Sequence, residues 1–105
     1  MQLNITARHN SKISEAVRNR IVSKLKKNAS HFDHISNIQV TIDQDGKQHV
    51  AEATLHITTG GEIFAKAVAD NLFQSIDSLS DKIDKQLLKI KTKMAKSKLV
   101  DTKRA

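Results

Sequence analysis

Residues 51–94 read AEATLHITTGGEIFAKAVADNLFQSIDSLSDKIDKQLLKIKTKM, and within them the apolar period changes at Leu72. Before that point Ala51, Ala53, Leu55 and Ile57 alternate with Glu52, Thr54 and His56. After Gly60-Gly61, Ile63, Ala65, Ala67 and Ala69 alternate again and leave Lys66 outside. A period of two is that of a strand with one buried face. From Leu72 onward the apolar residues are Leu72, Ile76, Leu79, Ile83, Leu87, Ile90 and Met94, spaced by 4, 3, 4, 4, 3 and 4. At roughly 100° per residue they stay within about 40° of one meridian, so one face of a long helix is buried. No proline interrupts it.

Toward the N-terminus, Ile38, Val40 and Ile42 alternate with Gln39 and Thr41, and Asp45-Gly46 supplies the turn that closes a hairpin onto the strand at 51–57. Ahead of these, Ile13, Val17, Ile21 and Leu25 recur every four residues behind Ser14, an oxygen acceptor at a helix start, and Glu15, which suits the positive end of the dipole. A first helix over Ser14–Ala29 follows. Leu3, Ile5 and Ala7 alternate with polar residues and give the first strand. The order is strand, helix, three strands, helix. Each strand has one apolar face, so both helices are expected on the same side of the sheet. The fold class is α+β, a two-layer β-α-β-β-β-α sandwich with a four-stranded mixed sheet. The first two strands are expected to run parallel through a right-handed crossover, and the rest antiparallel. Residues 1–96 form the single domain. Residues 97–105 carry too little apolar periodicity to pack and read as a basic, disordered tail.

Composition narrows the chemistry. A chain of 105 residues builds one core, and with only Phe32, Phe64 and Phe73 as aromatics that core is largely aliphatic. Without cysteine there is no disulfide, thiol nucleophile or thiolate metal site. The N-terminus lacks the pattern of a secretory signal and no apolar run is long enough for a membrane span, so the expected location is the cytoplasm. His31 and His34 are near enough to share a metal, but no third ligand has motif spacing, and neither metal nor cofactor is expected. The carboxylate pairs Asp43/Asp45 and Asp81/Asp84 fall in a turn and on a solvated flank, and Gly60-Gly61 is too short for a phosphate loop. An enzyme is not expected.

The net charge of +7 is uneven: residues 1–80 hold nine basic and eight acidic side chains, residues 81–105 nine and three. Such a field points to a polyanion, nucleic acid first and an anionic membrane second. On the second helix Asp77, Asp81 and Asp84 sort to one side of the apolar meridian, and Lys82, Lys85, Lys89, Lys93 and Lys96 form a ridge on the other. Lys85, Lys89 and Lys93 stand four apart and repel one another, where stability alone would favour alternating signs. The solvated-face alternative leaves that repulsion without a counterpart. The first helix adds Arg18, Arg20, Lys24, Lys26 and Lys27, and if the helices lie side by side the two basic strips can bracket a groove for phosphates. Lysine offers a point charge and not base-reading geometry, and the scarcity of aromatics argues against a single-strand reader. A membrane surface would call for apolar residues beside the ridge.

The stretches Ala53-Thr54-Leu55-His56, Gly60-Gly61-Glu62-Ile63, and Ile76-Asp77 leading to Asp81-Lys82-Ile83 and Gln86-Leu87 with Lys89 and Lys91 resemble the short ribosome hibernation-promoting factor family, a close relative of the translation inhibitor protein Y. The resemblance covers Met1 to about Lys93. It implies a fold like double-stranded RNA-binding domains and basic helices set in the small-subunit decoding channel, over the messenger and transfer RNA sites. Such a protein inhibits translation and stabilises inactive ribosomes in stationary phase, and is expected to be a monomer. The family's RNA-binding positions carry over to Lys24, Lys27, Lys82, Lys85, Lys89 and Lys91, with Arg18 also matching and Lys93 continuing the ridge. The family's usual Asp-Met-Tyr reads Asn71-Leu72-Phe73 here, and its helix arginine is Lys85, which keeps charge without bidentate geometry. The long form's dimerisation domain has no counterpart, so ribosome pairing is expected to need a separate modulation factor. A generic double-stranded RNA or DNA binder is the alternative reading.

Overall fold

The computed structural model describes residues 2–8, 12–32 and 34–104, with side chains as far as Lys91. Its elements are β1 (Gln2–Ala7), α1 (Glu15–Ser30), β2 (Ile35–Asp45), β3 (Gln48–Ile57), β4 (Glu62–Ala69) and α2 (Leu72–Arg104). This is the expected β-α-β-β-β-α order. The sheet order is β1-β2-β3-β4, with β1 parallel to β2 and both hairpins antiparallel. The expectations for Lys93, Met94 and Lys96, and for a tail over 97–105, lie outside the described side chains.

Strand register turns the period-two pattern into rungs. Leu3 pairs with Ile38, Ile38 with Leu55 and Leu55 with Ile63; Ile5, Val40, Ala53 and Ala65 form the next rung, and Ala7, Ile42, Ala51 and Ala67 the third. Apart from Ala7, these side chains share one core with Val17, Ile21 and Leu25 of α1 and Ile76, Leu79, Ile83 and Leu87 of α2, which places both helices on this face. Size is graded along the rungs. α2 packs over β3 and β4, where the sheet presents four alanines and a helix backbone can approach closely. The bulkier Ile38, Val40 and Ile42 fill the space beneath the other half of the layer.

Local chemistry sets the element ends. The Ser14 hydroxyl accepts from the Val17 N–H at 3.2 Å and caps α1. Asn71 does the same for α2, its side chain accepting from the Phe73 N–H at 2.7 Å. Asparagine at this place therefore starts the helix. Gly46, at φ +63°, makes the two-residue β2–β3 turn, a conformation that costs glycine little. On the exposed edge of the sheet, Lys82 Nζ donates to the Lys66 carbonyl and Gln86 Nε2 to the Phe64 carbonyl, each at 2.8 Å. Two side chains one helical turn apart thus close the β4 edge, which would otherwise offer unpaired carbonyls to another strand. Among the described residues no helix is long and apolar enough to cross a membrane.

Candidate nucleic-acid interface

α1 and α2 lie side by side, and their contact is polar. Asn28 is fully buried at a position the apolar period of α1 reserves for the core, three residues after Leu25. Its amide donates to the Ser80 carbonyl at 3.1 Å and to Asp84 Oδ1 at 2.7 Å, and its own oxygen accepts from the Ser80 hydroxyl at 2.9 Å. All three bonds cross between the helices. A buried amide is tolerated because each of these groups finds a partner. Asn28→Ala should lower stability by about 1–3 kcal/mol by leaving the Ser80 hydroxyl unpaired. An unchanged midpoint in urea denaturation would show that this network does not tie the helices together.

Outside that network the helix pairing sorts charge. Arg20 Nε and Lys24 Nζ of α1 each stand 3.8 Å from Asp77 Oδ1, and His31 Nδ1 stands 3.3 Å from Asp84 Oδ1. The acidic flank of α2 therefore faces α1, and the lysine flank faces β4. The expected groove bracketed by two basic strips is split by this arrangement: a seam of carboxylates runs between the helices, and cations line its two sides. The reason is the hand of the helix. Once the apolar meridian sits on the sheet, Asp77 and Asp84 can only turn toward one neighbour and Lys82 and Lys89 toward the other.

The candidate residues consequently fall into three groups. Lys85 and Lys89 are exposed, and Lys82 is exposed on the same flank with one of its three donors used at the sheet edge. Lys24, half-buried, and Lys27, exposed, lie on the α2-facing flank of α1. Lys91 lies on the same side of α2 as Asp84, seven residues away, and so joins the seam and not the ridge. Arg18 is exposed but sits roughly 120° around α1 from Lys24, turned away from α2. Lys93 lies outside the described side chains.

Arg20, which is absent from the positions carried over by resemblance, belongs to the α1 group. Its guanidinium lies 5.4 Å from the Phe73 ring centroid, a cation–π contact that steadies it beside Asp77. Asp77 Oδ1 makes no hydrogen bond, since 3.8 Å is too long for one. With side chains a third to nearly half exposed, such pairs are worth about 0–1 kcal/mol and yield easily to a phosphate. His34 packs edge-on against Phe32 at 5.2 Å, apart from His31, and no group of three or more His, Cys, Asp or Glu that could hold a metal occurs among the described residues.

This geometry can do one thing well: present point charges along two lines on the outer surface of a rigid helix pair. Residues 3–95 match the family model described as Sigma 54 modulation protein / S30EA ribosomal protein. The ribosome hibernation promoting factor of Pseudomonas putida is 41% identical over 93 residues, covering 89% of each chain. That of Escherichia coli K12 is 40% identical over 94 residues, covering 90% of this chain and 97% of its own. Among solved structures, a ribosomal subunit interface protein from Coxiella burnetii superposes with a TM-score of 0.81 at 28% identity, over 88% of this chain and 99% of that one. The protein Y N-terminal domain of Thermus thermophilus superposes at 0.76 and 22% identity, over 86% and 99%, a likeness of fold.

Proposed function

Because the chain belongs to the Sigma 54 modulation protein / S30EA ribosomal protein family, that of the ribosome hibernation promoting factors, we propose that it binds small-subunit ribosomal RNA in the decoding channel and silences the ribosome by occupying the path of messenger and transfer RNA. The family is one of non-enzymatic, ribosome-associated factors. The observation that carries the reading is the pair of cationic lines on the outer surface of the helices, Lys82, Lys85 and Lys89 on one and Arg20, Lys24 and Lys27 on the other. Both stand on helices locked together by Asn28, so the spacing between them is set before RNA arrives, and a rigid double line of charges suits a folded RNA better than a flexible strand. The site of action is the cytoplasm, where vacant ribosomes accumulate in stationary phase, and the protein promotes ribosome dimers together with a modulation factor.

Competition tests this reading. Occupancy should be high, at one saturable site, on vacant ribosomes and should fall sharply on ribosomes preloaded with messenger and peptidyl-site transfer RNA, since ligands that overlap cannot share the volume. A generic duplex binder would attach to many exposed RNA helices and occupy both samples alike. Equal occupancy would leave only nonspecific RNA binding.

A further inference from the structure

We infer that the hollow at the C-terminal end of α1 receives a single unpaired nucleobase, so that the protein reads one base in addition to the phosphates. The inference rests on the RNA-binding reading above. The hollow is an open cavity of about 280 Å³ lined by His31, Asp84, Leu87, Leu88 and Lys91. That is just under the range of about 300–1,000 Å³ typical of sites for whole small molecules, and it suits one ring system.

Its walls divide by chemistry. Leu87, almost fully buried, is the floor. Leu88 is a side wall and is 64% exposed, although it lies roughly 120° or more from the buried meridian of α2 and contributes nothing to the core. A single exposed leucine needs no explanation in general. Here it adjoins a polar pair whose position is fixed. Asp84 Oδ1 accepts from Asn28 at 2.7 Å and holds His31 Nδ1 at 3.3 Å, so the imidazole is anchored to the buried inter-helix network. His31 and Asp84 both line the hollow, and the contacts they make use Nδ1 and Oδ1, so His31 Nε2 and Asp84 Oδ2 have no partner among the described residues. Lys91, exposed, stands at the rim.

An unpaired base carries what this arrangement recognises: a flat apolar face for the leucines, donors and acceptors on its edge for His31 and Asp84, and a phosphate within reach of Lys91. The carboxylate favours a base with an exocyclic amino group. Among the described residues the other two exposed large apolar side chains, Phe64 and Val68, lie on β4, on the sheet face opposite the helices.

The test compares wild-type protein with Leu88→Ser and Leu88→Met on vacant small subunits, by affinity across a salt series and by chemical probing of RNA bases and backbone. Leu88 is exposed, so the variants fold, which circular dichroism verifies. Leu88→Ser should bind about tenfold more weakly at every salt concentration with the salt slope unchanged, and Leu88→Met should bind like wild type. One base protected by wild type should become reactive under saturating Leu88→Ser while the backbone footprint stays the same. Equal affinity of Leu88→Ser and wild type would overturn the inference. So would weaker binding in which no base loses protection, because the hollow would then hold a ribosomal protein side chain. Failure of wild type itself to bind would remove the RNA reading along with this one.

Discussion

Replacing Lys85 and Lys89 by glutamate together should reduce ribosome affinity by roughly a hundredfold or more while leaving the domain folded. Both residues are exposed on the outer flank of α2 and neither has a protein partner among the described residues, so the folded state loses nothing when their sign changes. The bound state loses two phosphate contacts and acquires two repulsions. Each lost contact also removes about 0.7–0.9 from the slope of log affinity against log salt, so the double variant should be measurably less salt-sensitive than wild type. Lys82→Glu would be a poorer test, since it also withdraws a donor from the Lys66 carbonyl and disturbs the β4 edge. A folded double variant that still cosediments with ribosomes would move the interface away from the α2 ridge.

The second large effect is on stability. Ile83 of α2 is fully buried, between Leu79 and Leu87 on the stripe that rests on the sheet. Ile83→Ala should cost about 2–5 kcal/mol, because the alanines of β3 and β4 already bring the helix close and the surroundings cannot collapse far into the gap. Domains of this size have a total stability of about 5–15 kcal/mol, so the melting temperature should fall by at least about 10 °C. Leu88→Ala, one turn away from Asp84 on the exposed side, should change stability by no more than about 0.5 kcal/mol. Similar melting of the two variants would contradict the packing described for α2.

Periodicity carried a long way here because it is a local property tied to a global one. A period of two at 51–69 and of 3.6 from Leu72 each leave one face of an element apolar, and in a chain with a single core those faces must meet. Strand order, the helix starts at Ser14 and the layer arrangement were therefore legible. The Asn71 cap and the buried Asn28 were also present as signals: an Asn immediately before an apolar period, and a polar residue on an apolar meridian. Neither says by itself which partner satisfies it. Sequence likewise sorted the charges of α2 into an acidic and a basic side.

What it left open was the neighbour on each side. The azimuth of a residue on its own helix is set by residue number, whereas the element beside it depends on how both helices sit over the sheet. Tertiary structure alone decided that Asp77 and Asp84 face α1, that Lys82 and Gln86 serve the β4 edge, and that Lys91 lines the hollow beside His31. The hydrogen bonds and ion pairs among those contacts join residues 16 to 53 positions apart, and no local pattern encodes them. Side-chain chemistry and helical period determine what each surface offers, and the packing of α1 and α2 on the graded rungs of the sheet determines which surfaces meet.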